Sequence, residues 1–278
     1  MIETTIIEVK GLRREHRFLH ISDCHVYEES PLNTPEENEL IRELTEKKTW
    51  MPGEETTGEA LRETLREGME LSPEAILLTG DGIDFVSPGN LETLRGILSE
   101  TGTELLYVFG NHENGHYFKK LTRDACYPLY KGLMPDTPDF WVRDYGDLLV
   151  AGLDDSGHDV TKKQVAALRE TLDRGIPVLL AIHAPLEEPE LERKTVEVWG
   201  KDGPGYFLVG ENPERDRDKT GEFYRLAARE KTALCAVAAG HVHFPYCGTL
   251  PNGVRQYVAD GSFMEYARLL ILKPAGRG

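Results

Sequence analysis

The chain is poor in cysteine, with four in 278 residues (Cys24, Cys126, Cys235 and Cys247), no CxxC pair and no dense framework. That spacing argues against a disulfide scaffold and fits reduced thiols in a cytosolic protein. No apolar run is long enough to span a bilayer, and the opening MIETTIIEVKGLRREHRF turns polar too early for a secretory signal. A soluble, cytoplasmic protein with no membrane partner is expected. Basic residues are also scarce: Lys and Arg number 32 against 48 Asp and Glu, a formal net charge of -16. Such a surface argues against general nucleic-acid binding, which sets Lys and Arg against phosphates. A nucleotide bound at a metal stays open, because a cation reverses the local field. No fixed-period repeat, low-complexity tract or convincing linker divides the chain. A single domain over residues 1–278 is expected, long enough to bury a substantial core.

What the chain does have is a pattern repeated five times. Five apolar runs, each of strand length and composition, end on a residue type that binds metals. They are FLHIS before Asp23 and His25, AILLTG before Asp81, LLYVFG before Asn111 and His112, VLLAI before His183, and CAVAAG before His241 and His243. Each alone has an ordinary explanation: a turn favours Gly-Asp-Gly or Asn, a lone histidine in AIHAP can be buried, and an H-x-H pair can sit in a loop. Together they predict one shared site where the strands end.

Between the runs, helical spacing appears at 59–71, and Asn90 can cap a helix over LETLRGILSE that Gly102 stops. Thr161 with Gln164 forms a capping box ahead of KKQVAALRETLDRG. This alternation predicts a largely parallel, buried sheet. FWVRDYGDLLVAGLDD reads as a hairpin around Asp144-Tyr145-Gly146, and GTLPNGVRQYVAD, with Asn252-Gly253 as its turn, and ARLLILKP read as further hairpin strands. A second mixed sheet beside the first accounts for them, giving an α/β sandwich. Two long insertions follow ligand-bearing strands, at about 28–57 and 184–220; Thr34-Pro35-Glu36-Glu37 can cap a helix through about residue 48 in the first.

The residue types suit a cation. Asp23 and His25 are two apart, so on a continuing strand both face one way, with Cys24 turned aside into packing. His241 and His243 repeat that spacing. The Asp81 carboxylate, between two glycines, can bridge two cations, and the Asn111 carbonyl can ligate without adding charge. Imidazole with carboxylate suits manganese, iron or zinc, and the ligands do not choose among them.

The series DxH, GDxxD, GNHE, H and GHxH, from Asp23 to His243, resembles the calcineurin-like metallophosphoesterase superfamily, and every signature position is filled. The resemblance implies a four-layer αββα sandwich of two mixed sheets flanked by helices. It implies a centre of two metal ions (Mn, Fe or Zn), with Asp23, His25 and His243 on one, Asn111, His183 and His241 on the other, and Asp81 bridging. Such pairs sit roughly 3.5–4 Å apart and activate a hydroxide for in-line attack on phosphorus. His112 is then expected beside the substrate as the catalytic residue, stabilising the transition state or protonating the leaving oxygen. Asp84 and Glu113 look like carboxylates behind the ligands, and Asn114 and His116 are candidate substrate contacts. The purple acid subfamily is disfavoured because no tyrosine stands near GDGID, and the Ser/Thr protein phosphatases because Phe85 and Val86 replace Arg-Gly.

The implied activity is metal-dependent hydrolysis of phosphomonoesters or phosphodiesters, with a cyclic-nucleotide phosphodiesterase or nuclease of the same superfamily as the alternative. A non-catalytic protein-binding scaffold ranks below both, since no ligand position and not His112 is lost. An oxygen-activating di-metal enzyme is disfavoured by the absence of Glu-x-x-His helices. The implied partner is a small phosphorylated substrate, with a nucleotide left open in the sense above; the oligomeric state is not legible. Lys119, Lys120 and Arg123 could form a basic edge or a solvated helix face. Trp199, Tyr206 and Phe207 could cover a pocket, but aromatics in a long loop more often pin it down, and they are left out of the site.

Overall fold

All five ligand-bearing runs form strands in the computed structural model, which describes every residue except 51–54, 115–120, 136, 158, 212–219 and 277–278. The strands are β1 Ile2–Val9, β2 His16–Ile21, β3 Ala75–Thr79, β4 Glu104–Val108, β5 Phe140–Asp144, β6 Leu149–Leu153, β7 Val178–Ala181, β8 Leu234–Ala239, β9 Tyr246–Thr249, β10 Arg255–Val258 and β11 Ala267–Pro274. The helices are α1 Pro35–Lys47, α2 Thr57–Met69, α3 Pro88–Ser99, α4 Arg123–Cys126, α5 Lys162–Asp173, α6 Pro189–Trp199, α7 Gly203–Phe207 and α8 Gly221–Ala227.

Two mixed sheets result, in the orders β1-β11-β2-β3-β4 and β5-β6-β7-β8-β10-β9. In β3, Ala75 and Leu77 enter the layer between the sheets, while Ile76 and Leu78 pack outward against α2 and α3. β7 divides the same way, with Leu179 and Ala181 inward and Val178 and Leu180 toward α5 and α8. A strand covered on both faces needs apolar residues at every position, which is why these runs read as continuous rather than alternating. Each fully buried leucine or isoleucine contributes roughly 1.5–3 kcal/mol. The architecture is the four-layer αββα sandwich.

Local signals held where they were local. Thr34 with Glu37 and Thr161 with Gln164 form reciprocal capping boxes, and the 140–155 hairpin and the Asn252-Gly253 turn are present. The α3 cap differs: Ser87, not Asn90, accepts from the Asn90 N–H, and Pro88 opens the helix. Asn90 is buried instead, accepting from the Glu28 N–H and donating to the Phe85 carbonyl. β11 also departs from the hairpin reading. It leaves β10 for the first sheet, pairing parallel with β1 and antiparallel with β2. No helix among the described residues is long and apolar enough to cross a membrane.

Candidate metal centre

The candidate ligands follow the C-terminal ends of β2, β3 and β4 in one sheet and of β7 and β8 in the other, and each of these two sets runs parallel. The edge where strands end is where α/β sheets leave backbone groups free for a ligand. Asp23 and His25 are not brought together by strand alternation, however, since β2 has already ended at Ile21. Nine non-glycine residues among those described have positive φ, and five are candidate ligands: Asp23, His25, Asp81, His241 and His243, at 43° to 69°. Left-handed backbone costs a residue with a Cβ roughly 1–2 kcal/mol, and such strain gathers at functional sites. The loops hold each other: Asp23 N–H donates to Gly80 O and His25 N–H to Asp81 O, at 3.0 and 2.9 Å. Gly80 has a φ of 93°, and a Cβ there would run into the His183 ring.

The side chains converge. His25 Nε2 and His243 Nε2 lie 3.2 Å apart, with Asp23 Oδ1 3.3 Å from the latter and 4.0 Å from the former. Two nitrogens on one cation at 2.0–2.1 Å would stand about 2.9 Å apart in octahedral and about 3.4 Å apart in tetrahedral geometry. The observed spacing falls between these values. On the other side, His183 Nδ1–H donates to Thr79 O at 2.7 Å, turning Nε2 toward Asn111 Oδ1 at 3.1 Å and Asp81 Oδ2 at 3.3 Å. An imidazole lone pair against two oxygen lone pairs is unfavourable unless a proton or cation lies among them. Burial opposes charge on His183, yet Asp81 outweighs it and raises its pKa well above the usual value. That marks a strongly negative pocket. Asp81 Oδ2 also lies 3.9 Å from His25 Nε2, so it stands between the two groups of donors. Asp23 Oδ2 accepts from the His241 N–H at 2.9 Å, and burial, helped by His112, lowers the pKa of His25 and favours its neutral, ligating form. The donor set fits a pair of cations.

Over residues 16–245 the sequence matches the family described as calcineurin-like phosphoesterase. The chain belongs to that family. Among similar proteins is a cAMP/cGMP dual specificity phosphodiesterase of Mycobacterium tuberculosis (strain CDC 1551 / Oshkosh), 27% identical over 247 residues, in a match that covers 84% of this chain and 63% of that protein. The chain therefore spans less than two thirds of that relative's length. A dimetal phosphatase from Danio rerio has a similar structure, with a TM-score of 0.60, 13% identity and coverage of 94% of this chain and 93% of that one. A purple acid phosphatase from yellow lupin (Lupinus luteus) seeds gives 0.52 and 14%, covering 91% of this chain and 45% of that one. At such identities the likeness is one of fold.

Carboxylates behind the candidate ligands hold the loops of this site. Glu113 accepts four hydrogen bonds: Gly82 N–H and Tyr107 O–H on Oε1, at 2.7 and 2.6 Å, and Asp81 N–H and Gly110 N–H on Oε2, at 2.9 and 2.6 Å. Burial, and then Asp81, pushes its carboxyl up to about 7, against those donors. Glu113→Gln would turn an N–H₂ toward two of them, and should cost at least about 2 kcal/mol in chemical denaturation and loosen metal binding. Unchanged stability and metal content would show the four bonds to be dispensable. Asp84 Oδ1 accepts from His25 Nδ1 at 3.2 Å, and the Asp84 carbonyl accepts from His112 Nδ1 at 2.5 Å. Burial works against the Asp84 charge, but His112 and His25 hold it down at about 2. Asp155, missed in the sequence, accepts from the His183 and Ala184 N–H groups at 2.9 and 3.0 Å. Its signal was available, since it follows β6 as the other carboxylates follow their strands.

A cavity of about 270 Å³ opens over Asp81, Asn111, His112, His241 and His243. Its walls come from the two insertions: Thr49 and Trp50 from the first, Trp199, Tyr206 and Phe207 from the second. The last three were set aside as loop anchors, yet they line the cavity: the Phe207 and Tyr206 rings lie 4.9 and 5.6 Å from His241, and Trp199 lies 5.9 Å from His243. Trp199 and Tyr206 remain 42% and 48% exposed, which suits a pocket rim better than a buried anchor. Asn114 donates to Ser156 Oγ at 2.7 Å and is not among the lining residues. Arg123 is committed to Asp154 and Asp159, at 3.2 and 2.9 Å, and offers no free basic edge. His116, Lys119 and Lys120 lie outside the described residues.

Proposed function

We propose that this chain hydrolyses small phosphodiesters bearing a planar ring, cyclic nucleotides among them, at a two-metal centre. Asp23, His25 and His243 would hold one ion, Asn111, His183 and His241 the other, with Asp81 between. Bound there, two cations supply charge neutralisation at phosphorus and a water of lowered pKa. The observation that carries the reading is the cavity, which joins the donor cluster to aromatic walls. A diester offers a second substituent for those rings. Base–aromatic stacking contributes roughly 1–3 kcal/mol. The mycobacterial relative, named for cAMP and cGMP, points the same way.

His112, in the cavity lining, would act on the leaving oxygen, with its Nδ1–H fixed by the Asp84 carbonyl. The test is a comparison of kcat/KM for bis-aryl phosphate, cyclic nucleotides and aryl phosphate, with manganese, iron or zinc added. Diesters are expected to lead by about tenfold or more. A lead for the monoester overturns the diester reading, and no hydrolysis with any of the metals overturns the enzyme reading.

A further inference from the structure

Trp50 lies flat on His25, with ring centroids 4.0 Å apart and planes 12° from parallel. Its Nε1–H donates to Asp84 Oδ1 at 2.8 Å, the same oxygen that accepts from His25 Nδ1. The indole also meets His243 edge-on at 5.2 Å and Phe263 at 5.3 Å. One side chain from an insertion thus touches a candidate ligand by its face and that ligand's hydrogen-bond partner by its edge.

The local chain explains how it arrives there. α1 is capped by Lys48, whose φ is 52°; Lys48 N–H donates to Thr45 O and Thr49 N–H to Leu44 O, each at 3.1 Å. This left-handed closure reverses the chain and sends Trp50 back toward the strand ends. α1 itself docks through Ile41 and Leu44 on Tyr27 and Phe85, and Phe85 follows Asp84 directly. The insertion is therefore fastened to the loop that orients His25 by its side chain and His112 by its carbonyl.

We propose that Trp50 is a positioning residue of the metal centre: its N–H holds the Asp84 carboxylate in register with His25, and its indole face fixes the imidazole plane. The inference rests on His25 being a metal ligand. A ligating histidine depends on what its other nitrogen is bonded to, and losing that partner typically weakens metal binding roughly 10–100-fold. Asp84 Oδ2 has no hydrogen-bond partner among the described residues, so both donors load one oxygen, and removing one frees the carboxylate to turn. The stacked face adds no charge. Its contribution is orientation and the exclusion of water from one side of the ring.

The test is titration of the metal-free full chain with manganese(II) alone, read by loss of the free-ion resonance, for wild type, Trp50→Phe, Trp50→Leu and His25→Ala. Trp50→Phe keeps a flat ring and loses the N–H; Trp50→Leu loses both. Affinity should fall roughly tenfold in the first and roughly 100-fold in the second. On an Asp84→Asn background, Trp50→Phe should add little, because the two act through one hydrogen bond. If both Trp50 variants titrate as wild type while His25→Ala loses metal, the inference is overturned and the metal centre stands. If wild type takes up no manganese in this titration, nor iron or zinc by elemental analysis, the centre fails and this role fails with it. Should Trp50→Leu not fold, Trp50→Phe decides alone.

Discussion

Asp81→Asn is expected to strip part of the metal complement and lower turnover by on the order of 10²–10³-fold. The replacement is nearly isosteric, so shape is not what is lost. Asp81 Oδ2 stands 3.3 Å from His183 Nε2 and 3.9 Å from His25 Nε2, while Oδ1 accepts from the His112 N–H at 2.9 Å. An amide can keep only one of those faces as an acceptor, and it brings no negative charge to offset two cations. Elemental analysis beside steady-state kinetics reads both effects. The metal-free variant should also be less stable than metal-free wild type: burial opposes the Asp81 charge, but His183 and then His112 outweigh it and lower its pKa, so removing the carboxylate leaves buried imidazoles without their partner. Full metal and full turnover in this variant would remove Asp81 from the centre.

His112→Ala should do the opposite: keep the metals and lose about 10²–10⁴-fold in kcat. His112 lies in the cavity lining, 3.9 Å from Asp81 Oδ2, and its Nδ1 is taken by the Asp84 carbonyl. Burial disfavours its imidazolium, but Asp81 and then Asp84 outweigh burial and raise its pKa to about 9. As a proton donor it works below that value, so wild-type turnover should fall as pH rises through it. Bound cations would repel the charge and move this limb lower. His112→Ala should abolish the limb along with the rate. If the variant loses its metals, His112 belongs among the ligands.

The donor residues were legible because each closes an apolar run, and a strand buried on both faces leaves a continuous signature. The cation-binding types after Ile21, Thr79, Val108, Ala181 and Ala239 needed no tertiary information to be noticed. How they converge was less legible. Asp23 and His25 come together through left-handed backbone and pairing with the Gly80–Gly82 loop, neither of which alternation predicts. Ser87 outcompeted Asn90 as a cap because Pro88 fixes the first turn three residues earlier, a local cue. β11 was misplaced for a different reason: its partners lie some 250 residues away in sequence, and a hairpin is only the nearest option. Trp50, Trp199, Tyr206 and Phe207 depend on how two insertions dock, and composition says nothing of docking.

The place of β11 has a consequence for how the chain is made. It fills the gap between β1 and β2, yet it follows every other described strand in the chain. Until residues 267–274 leave the ribosome, the first sheet has an open seam and two of its strands wait unpaired along facing edges. Exposed strand edges recruit other chains, so a nascent copy stalled short of Ala267 would be vulnerable to aggregation even with every candidate ligand already translated.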